Sequence, residues 1–397
     1  MSRSVGTVVR GLRAPIVQEG NDIVQIVVDT LLNASQEAGF EVQDRDIIAI
    51  TESIVARAQG NYASIDDIAK DIQTKYQDKT VGIVFPILSR NRFMNLLKGF
   101  ARGAKEIVIQ LSYPADEVGN HLITRDQLDA SGVNPWSDTL SEEEFEVHFG
   151  KTAHPFTGVD YIQLYKEIAA EENTPCTIIF SNDPKEILKH TDAVLVSDVH
   201  QRVRTSEILT EAGAKVVYEL GDILKTPVTE NGGYNTEFGL LGANNATDES
   251  VKLFPSGSQA VVDAIQKEIK EKTGHTIEAM VYGDGAFQDP VGEIWELADP
   301  VVSPGYTSGL EGTPNEVKLK YLADNDYSDL SGEELQAAIR ESIGSKDDQT
   351  KDSKQALGTT PRQLTDLIGS LADLTSGSGD KGTPFVYIQG YFDDYTK

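Results

Sequence analysis

The sequence predicts a mixed α/β fold in which an α+β core, split along the chain, encloses an inserted parallel α/β unit. Between residues 81 and 221, short apolar segments alternate with helical segments, a spacing typical of parallel strands joined by crossover helices. From Thr226 to Glu237 the chain becomes polar and contains two adjacent glycines, which marks a return from the insertion. We therefore assign residues 1–80 and 235–397 to the core and residues 81–234 to the inserted unit.

The core opens with two strands, each followed by a polar loop or turn. Apolar residues alternate from Ser4 to Leu12, and a helix begins after the turn at Glu19 to Asp22. Asp46 to Ile50 forms a short apolar strand, and the polar residues Thr51 to Ser53 come directly after it. Polar side chains just past the carboxyl end of a strand commonly face a ligand, although they are equally suited to cap the next helix.

The inserted unit is predicted from short apolar runs separated by helical segments. Its predicted strands are Val81 to Phe85, Glu106 to Leu111, Thr177 to Phe180, Ala193 to Val196 and Lys215 to Tyr218. Helices are predicted at Asn91 to Arg102 and at Val203 to Ala212. The acidic run from Glu142 to Glu146 indicates a solvated face.

The chain after the insertion is predicted to return to the core. A helix begins near Ser258 and ends at Gly274, and a strand runs from Thr276 to Tyr282. Ser331 begins a capping-box pattern for a helix that reaches about Ile343. Carboxylates again follow a strand end, in the segment from Gly283 to Asp289.

The last segment combines a helix, a glycine-rich loop and a buried strand. Thr360 is a suitable N-cap and Pro361 a suitable first residue for the helix. The glycines between Gly377 and Gly382 permit positive φ and let a phosphate approach the bare backbone, and Phe385 to Gln389 follows as a strand. A flexible connector is the alternative interpretation of this loop.

Charge and cysteine content exclude several classes of partner. The formal net charge of −28 opposes binding to nucleic acid or to an anionic membrane, because phosphates would be repelled. Cys176 is the only cysteine, so no internal disulfide can form. The first residues lack the apolar run of a signal peptide, and no apolar run is long enough to span a bilayer. We expect a cytoplasmic protein.

Several common catalytic motifs are absent from the sequence. Neither the P-loop pattern nor a G-x-G-x-x-G opening a helix after a strand occurs. The histidines do not have the spacing of a zinc hydrolase, and Cys176, at the start of a predicted strand, suits the core better than a nucleophile. Any nucleotide site must therefore be of another kind.

Oxygen ligands and glycines remain as the candidate site. Carboxylate, amide and hydroxyl oxygens with few nitrogen or sulfur ligands suit Mg²⁺ or Mn²⁺ bound beside phosphates. The candidates are Asp284 and Asp289 after one strand, Asn244, Asn245 and Thr247 in another loop, and the glycine loop. Asp116 is a weaker candidate, and Asp284 is equally suited to be the turn residue of an Asp-Gly turn.

The order of the segments is more specific than any one of them. The segments are Ala14-Pro15-Ile16, then Glu52-Ser53 with Arg57-Ala58-Gln59-Gly60, then Gly242 to Thr247, Gly283-Asp284-Gly285, and Gly377 to Pro384. In this order they resemble the gamma-glutamyl ligases that add L-glutamate to the precursor of the deazaflavin coenzyme F-420. The resemblance covers about residues 1–60, 235–310 and 360–392.

The resemblance implies a site for GTP and for Mg²⁺ or Mn²⁺, in a dimeric enzyme. It implies metal binding by Asn244, Asp284 and Asp289, and catalytic roles for Arg57 and Asp284. It implies nucleotide contacts from Ala14, Pro15, Ile16, Glu52, Ser53, Arg57, Thr247, Gly377, Ser378, Gly379, Lys381 and Gly382. Departures from the family pattern include Arg57 in place of a lysine, Asn244 in place of an aspartate, and the loss of the threonine ligand of a threonine-aspartate-threonine segment at Gly283-Asp284-Gly285.

We therefore expect a GTP-dependent ligase that joins L-glutamate to a cofactor-type small-molecule acceptor through an acyl phosphate. Two alternatives remain open. The same chemistry could act on a folate or another acceptor selected by the inserted unit, or the chain could be a non-catalytic nucleotide-binding relative.

Overall fold

The computed structural model describes residues 4–154, 156–347, 353–356, 362–376 and 379–396. The strands within them are β1 (Val8–Leu12), β2 (Ile47–Thr51), β3 (Tyr62–Ser64), β4 (Thr80–Val84), β5 (Glu106–Leu111), β6 (Leu140–Ser141), β7 (Cys176–Phe180), β8 (Ala193–Val196), β9 (Val216–Glu219), β10 (Asn244–Thr247), β11 (Ser250–Lys252), β12 (Glu278–Tyr282), β13 (Gly305–Tyr306) and β14 (Phe385–Gln389).

The α-helices within the described residues are α1 (Ile23–Ala38), α2 (Glu52–Gln59), α3 (Ile65–Tyr76), α4 (Met94–Gly103), α5 (Arg125–Ser131), α6 (Glu142–Phe149), α7 (Tyr161–Glu171), α8 (Arg202–Glu211), α9 (Ser258–Thr273), α10 (Leu319–Tyr321), α11 (Gly332–Gly344) and α12 (Leu364–Ser376). Parallel and antiparallel strands share the sheets, so the predicted mixed α/β class is confirmed.

A five-stranded sheet joins the two ends of the chain, in the order β1-β14-β2-β12-β13. Only β2 and β12 pair in parallel, and the other neighbours are antiparallel. Alternate residues of the central strands face opposite sides, as the strand period of two requires. One face packs against α1 and α9 through residues such as Ile48 and Val281, and the other packs against α12 through residues such as Ala49 and Met280.

A six-stranded sheet forms the second layer, in the order β6-β7-β5-β4-β8-β9. Its strands are parallel except for β6 at one edge, as the alternation of strands and helices predicts. Helix α3 and the segment from Phe238 to Phe254 share its hydrophobic cluster. The boundaries at residues 81 and 234 stay a prediction. Strands β3, β10 and β11 form a small third sheet.

Helix ends follow the sequence less closely than strand positions do. Helix α1 begins directly after the predicted turn, and Asp22 caps it by accepting a hydrogen bond from the Gln25 amide. Ser331 precedes α11, but its side chain makes no capping bond, so the predicted capping box is not formed. The N-cap of α9 is Gly257, with Ser258 buried as the first helical residue. Thr360 and Pro361 lie outside the described residues.

None of the described helices is both long and apolar enough to cross a membrane.

Asp198 follows β8 and is the basis of a prediction on stability against pH. Its carboxyl is buried and accepts a hydrogen bond from the Thr205 hydroxyl. Burial first, and Glu117 next, raise the pKa of Asp198 to about 7. The pKa of Asp198 is therefore higher in the folded protein than in the unfolded chain. The contribution of Asp198 to folding stability is complete below the unfolded pKa and is lost as pH rises through the folded pKa.

We therefore expect the difference in free energy of unfolding between Asp198→Asn and wild type to depend on pH. That difference should favour the variant by about 2 kcal/mol more at about pH 8 than at about pH 4, measured by urea unfolding. Asp192→Asn is the control, because Asp192 is partly exposed and a hydrogen bond from Lys215 lowers its pKa, which gives the opposite slope. An Asp198→Asn effect that is equal at both pH values would contradict the prediction.

Candidate functional site

The predicted loops leave the five-stranded sheet at a single edge. In the parallel pair, Thr51 lies opposite Tyr282, so helix α2, which follows β2 directly, and the loop after β12 begin side by side. Strand β14 runs the other way, and its first residue, Phe385, pairs with Ile50 and with Leu12, the last residue of β1. The loop after β1, the first turn of α2, the loop after β12 and the described part of the glycine loop before β14 therefore meet at this edge.

Asp284 is held there by an arginine from the other layer. Arg92 donates to both carboxylate oxygens of Asp284, each at 3.0 Å, and to Oδ1 of Asp299 at 2.6 Å. The second oxygen of Asp299 accepts from the Asp284 amide at 3.0 Å. Arg92 also donates to the Gly242 carbonyl at 3.1 Å. We call Arg92, Asp284 and Asp299 the arginine cluster.

Asn244, Asn245 and Thr247, predicted to lie in a loop, form strand β10, and this strand is tied to the turn that carries Arg92. The Asn91 amide group donates to Oδ1 of Asn244 at 3.0 Å, and the Asn245 backbone amide donates to the Asn91 carbonyl at 2.8 Å. The Asn245 side chain donates in turn to the Arg90 carbonyl at 2.8 Å. The structure thus brings β10, with the preceding Gly242, and Asp284 together through Arg92 and its turn.

Burial and mutual charge determine the electrostatics of the cluster. Burial alone would lower the pKa of Arg92, but Asp299, Asp284 and Glu52 outweigh it and raise that pKa. The guanidinium is therefore charged at every working pH. Burial raises the pKa of Asp299 well above its ordinary value, although Arg92 opposes the shift.

Further carboxyls surround the cluster. Glu296 is exposed to solvent on one side, yet desolvation by its neighbours, and then the charge of Asp284, raise its pKa. The pKa of Asp373 on α12 is also raised by burial, and its carboxylate accepts from the Gly285 amide at 2.9 Å. This contact places the end of α12, which leads into the glycine loop, beside the loop after β12. Acidic groups therefore outnumber the cations here, and anionic substrates need added positive charge.

Glu52 and Ser53, predicted to contact a nucleotide, contact Lys252 in the structure. Lys252 lies 3.4 Å from both carboxylate oxygens of Glu52 and 2.5 Å from the Ser53 hydroxyl. Glu52 and Lys252 are both buried. Burial raises the pKa of Glu52 and lowers the pKa of Lys252, while each partner's charge opposes these shifts.

The N-terminal loop, Arg57 and the glycine loop form a second group. The Ala14 amide donates to the Gly382 carbonyl at 3.0 Å, and Nε of Arg57 donates to the Val17 carbonyl at 2.6 Å. Pro15 and Ile16 are exposed beside them, as are Gly379 and Lys381 in a short 3₁₀ turn. Gly377 and Ser378 lie outside the described residues.

Two predicted ligands lie away from Asp284. Asp289 is exposed in a hairpin closed by Gln288 and Trp295, and its carboxylate accepts from the amides of Val291 and Gly292. The Asp289 carboxylate stabilises the turn in which it lies and does not contact the arginine cluster. The Thr247 hydroxyl is exposed and shares a 2.7 Å hydrogen bond with Ser250 across the turn from β10 to β11.

A cavity of about 770 Å³ opens beside the arginine cluster, lined mainly by segments that follow β4, β5 and β12. Its volume lies in the range of small-molecule sites. Arg92 and Asp284 form part of its wall. The remaining lining residues are Ile87, Leu88, Ser89, Arg90, Asn91, Met94, Val118, Asn120, His154, Thr157, Tyr161, Asn245, Ile294, Trp295, Glu296, Leu297 and Ala298.

Asp116, the weaker candidate ligand, organises the wall of this cavity. It is buried, and its carboxylate accepts from the amides of Leu88, Val118 and Asn120 and from the Asn120 side chain. Burial raises the pKa of Asp116 to about 6, although those donors stabilise the charged form. The two loops that it joins carry the cavity residues Leu88 and Asn120.

The predicted metal ligands do not fit a protein-held divalent ion in this arrangement. Arg92 occupies both oxygens of Asp284, and the amide oxygen of Asn244 accepts from Asn91. Within the part of the chain that the structure describes, no group of three or more His, Cys, Asp or Glu residues is arranged to hold a metal. The predicted use of Mg²⁺ or Mn²⁺ stays a prediction.

Sequence reasoning missed Arg92, Asp299 and Lys252. Arg92 falls in a predicted helix, and the contacts that define its role are with residues 192 and 207 positions away in the chain. Asp299 stands in an Ala-Asp-Pro segment with no catalytic pattern. The one available signal was an isolated lysine in the apolar segment Val251 to Phe254.

The chain has a mixed α/β fold with charged side chains on the wall of a cavity whose volume lies in the range of small-molecule sites. The model of the F420-0:gamma-glutamyl ligase family matches residues 11–390, and the chain belongs to this family. The predicted ligase family is thereby confirmed, and the match includes the middle of the chain that the resemblance left out. No curated protein matches the chain.

Proposed function

We propose that the chain is a nucleotide-dependent ligase that joins the amine of L-glutamate to a carboxylate of a small-molecule acceptor, with GTP as the expected co-substrate. One observation carries the proposal. The loops of the five-stranded sheet meet at one edge, and the cavity with Asp284 in its wall opens beside them. A nucleotide at the edge and an acceptor in the cavity would then be neighbours.

The reaction that we propose has two steps. The acceptor carboxylate attacks the terminal phosphorus of the nucleotide, the bond to the bridging oxygen breaks, and an acyl phosphate and a nucleoside diphosphate form. The glutamate amine then attacks the acyl carbon, inorganic phosphate leaves, and the amine loses a proton. Such transfers depend mainly on positioning and on charge stabilisation.

The residues of the edge have distinct roles in this proposal. Backbone amides of the loop before β14, from Gly379 to Gly382, would face phosphate oxygens, with Lys381 and Arg57 as exposed cations nearby. Arg92 would stabilise charge that develops on the transferred group, since its guanidinium lies where the cavity meets the edge. Glu296 in the cavity wall would accept the proton from the amine.

The cavity is suited to an acceptor that has both polar and apolar parts. Arg90, Asn120 and His154 supply polar groups on one side, and Trp295 and Met94 supply apolar surface. The family name makes the coenzyme F-420 precursor the first acceptor to test, and a folate is the alternative acceptor. Dimer formation stays a prediction.

The decisive experiment incubates the protein with labelled L-glutamate, GTP or ATP, a magnesium salt and one acceptor at a time. The acceptor arms contain the coenzyme F-420 precursor or a folate, and mass spectrometry detects the addition of one glutamyl residue. We expect transfer with the coenzyme precursor and phosphate release that requires glutamate. Transfer to the folate alone would change the acceptor, and no product with either acceptor would reject the ligase proposal for both.

One observation favours the non-catalytic alternative. Asn244 stands where the resemblance implies an aspartate, and its side-chain oxygen accepts a hydrogen bond from Asn91. A chain that only binds nucleotide would show GTP binding by calorimetry and no phosphate release with any acceptor.

A further inference from the structure

The partners of Arg92 are the kind of oxygen ligands that a hard cation takes. Its guanidinium contacts the carboxylates of Asp284 and Asp299 and the Gly242 carbonyl, at distances from 2.6 to 3.1 Å. Carboxylate and main-chain oxygens are the usual ligands of Mg²⁺ and Mn²⁺. A planar guanidinium matches the same oxygens through paired hydrogen bonds.

Arg92 is fixed in this position by its own turn. The Arg92 amide donates to the Ser89 hydroxyl at 3.1 Å, and the Phe93 amide donates to the Ser89 carbonyl at 3.1 Å. Asn91, the residue before Arg92 in the same turn, is hydrogen-bonded to Asn244 and Asn245. These contacts hold the backbone of the turn, while the guanidinium itself is held by Asp284, Asp299 and the Gly242 carbonyl, with only 15% of the side chain exposed.

The burial of the charged groups favours a stable ion pair between Arg92 and the two aspartates. Asp299 has 2% of its side chain exposed and Asp284 has 14%. Removing one partner of a buried pair leaves an uncompensated charge, which is strongly unfavourable. A divalent ion could reach Asp284 only by displacing Arg92 and leaving the guanidinium buried without its partners.

We propose that the Arg92 guanidinium is a resident substitute for a divalent cation at Asp284, so that the protein alone holds no metal there. The inference rests on the proposed function, in which this position faces the transferred group. The fixed positive charge of Arg92 already compensates part of the negative charge of Asp284 and Asp299.

Mn²⁺ titration without nucleotide or acceptor tests the proposal, with the signal of free Mn²⁺ followed by electron paramagnetic resonance. We expect no site in the wild-type protein that depends on Asp284. Arg92→Ala should gain one site, at least about tenfold tighter than any wild-type binding there, because two carboxylates and a carbonyl are released. Asp284→Asn in the Arg92→Ala background should remove that site.

Further variants keep the result interpretable. Arg92→Gln also removes the charge and keeps a donor for the Gly242 carbonyl, so it replaces Arg92→Ala if that variant does not fold. Arg92→Lys keeps the charge and should gain no site. Circular dichroism checks the fold of each variant.

Two outcomes would overturn the proposal. The first is a wild-type Mn²⁺ site that Asp284→Asn abolishes while Arg92 is present. The second is a folded Arg92→Ala or Arg92→Gln protein with no gain in binding. Because neither measurement uses substrate, failure here is separate from failure of the ligase proposal, which the glutamate-transfer assay decides.

Discussion

Lys252→Met should lower the free energy of unfolding by about 3 kcal/mol, because it leaves Glu52 buried without its partner. Lys252 and Glu52 are 7% and 5% exposed, so little water can replace the lost contact. Methionine has a similar length and keeps the packing of the lysine stem, which limits the change to the charge. Urea unfolding at neutral pH measures the effect.

The double variant Glu52→Gln/Lys252→Met separates the ion pair from its parts. Replacing both partners of a buried pair is often neutral, since the cost of removing two charges from water disappears together with their attraction. We expect the double variant to recover at least about 2 kcal/mol of the single-variant loss. The loss in Lys252→Met should also diminish as pH falls, because a protonated Glu52 no longer buries an unpaired charge.

Lys267→Met is the matched control for this experiment. Lys267 is 75% exposed on α9 and lies 3.8 Å from Glu271, so its pair is exposed to solvent and contributes little. The expected change is within about 0.5 kcal/mol. If Lys252→Met were as mild as Lys267→Met, the buried pair would not have the importance that the geometry assigns to it.

The strands could be predicted because their signal is local. The runs Glu106 to Leu111, Ala193 to Val196 and Phe385 to Gln389 were predicted with the bounds that the structure has. Each is a short, largely apolar segment that is mostly buried, and no distant partner is needed to recognise it. The order of the strands in each sheet did not follow from such runs, since it depends on pairings across the whole chain.

The candidate site was predictable only in part, for the same reason. Asp284 and the glycine loop follow or precede recognisable strands, so their placement at one edge could be anticipated. Whether a carboxylate there is free or paired depends on groups far away in sequence, such as Lys252, 200 residues after Glu52. Asp289 was predicted to join Asp284 because the two are close in sequence. In the structure its carboxylate lies in a separate turn.

Asp284→Asn should reduce kcat for glutamate transfer by about 100-fold or more, the scale of losing one preorganised charge contact in an active site. The asparagine keeps the size of the side chain and one acceptor oxygen, but Arg92 loses a charged partner that both of its hydrogen bonds to this residue require. Its guanidinium is then fixed only from the Asp299 and Gly242 side. We expect KM for the acceptor to change much less than kcat.

Stability measurements and a matched control distinguish this catalytic loss from unfolding. Arg92 keeps its 2.6 Å contact with Asp299, so the free energy of unfolding should fall by only about 1–2 kcal/mol, and the variant should remain folded at assay temperature. Asp263→Asn makes the same chemical change at an exposed position on α9 and should leave kcat near the wild-type value. If Asp284→Asn retained wild-type kcat in a protein that transfers glutamate, the orientation of Arg92 by Asp284 would have no part in the reaction, and the transferred group would have to lie elsewhere along the edge.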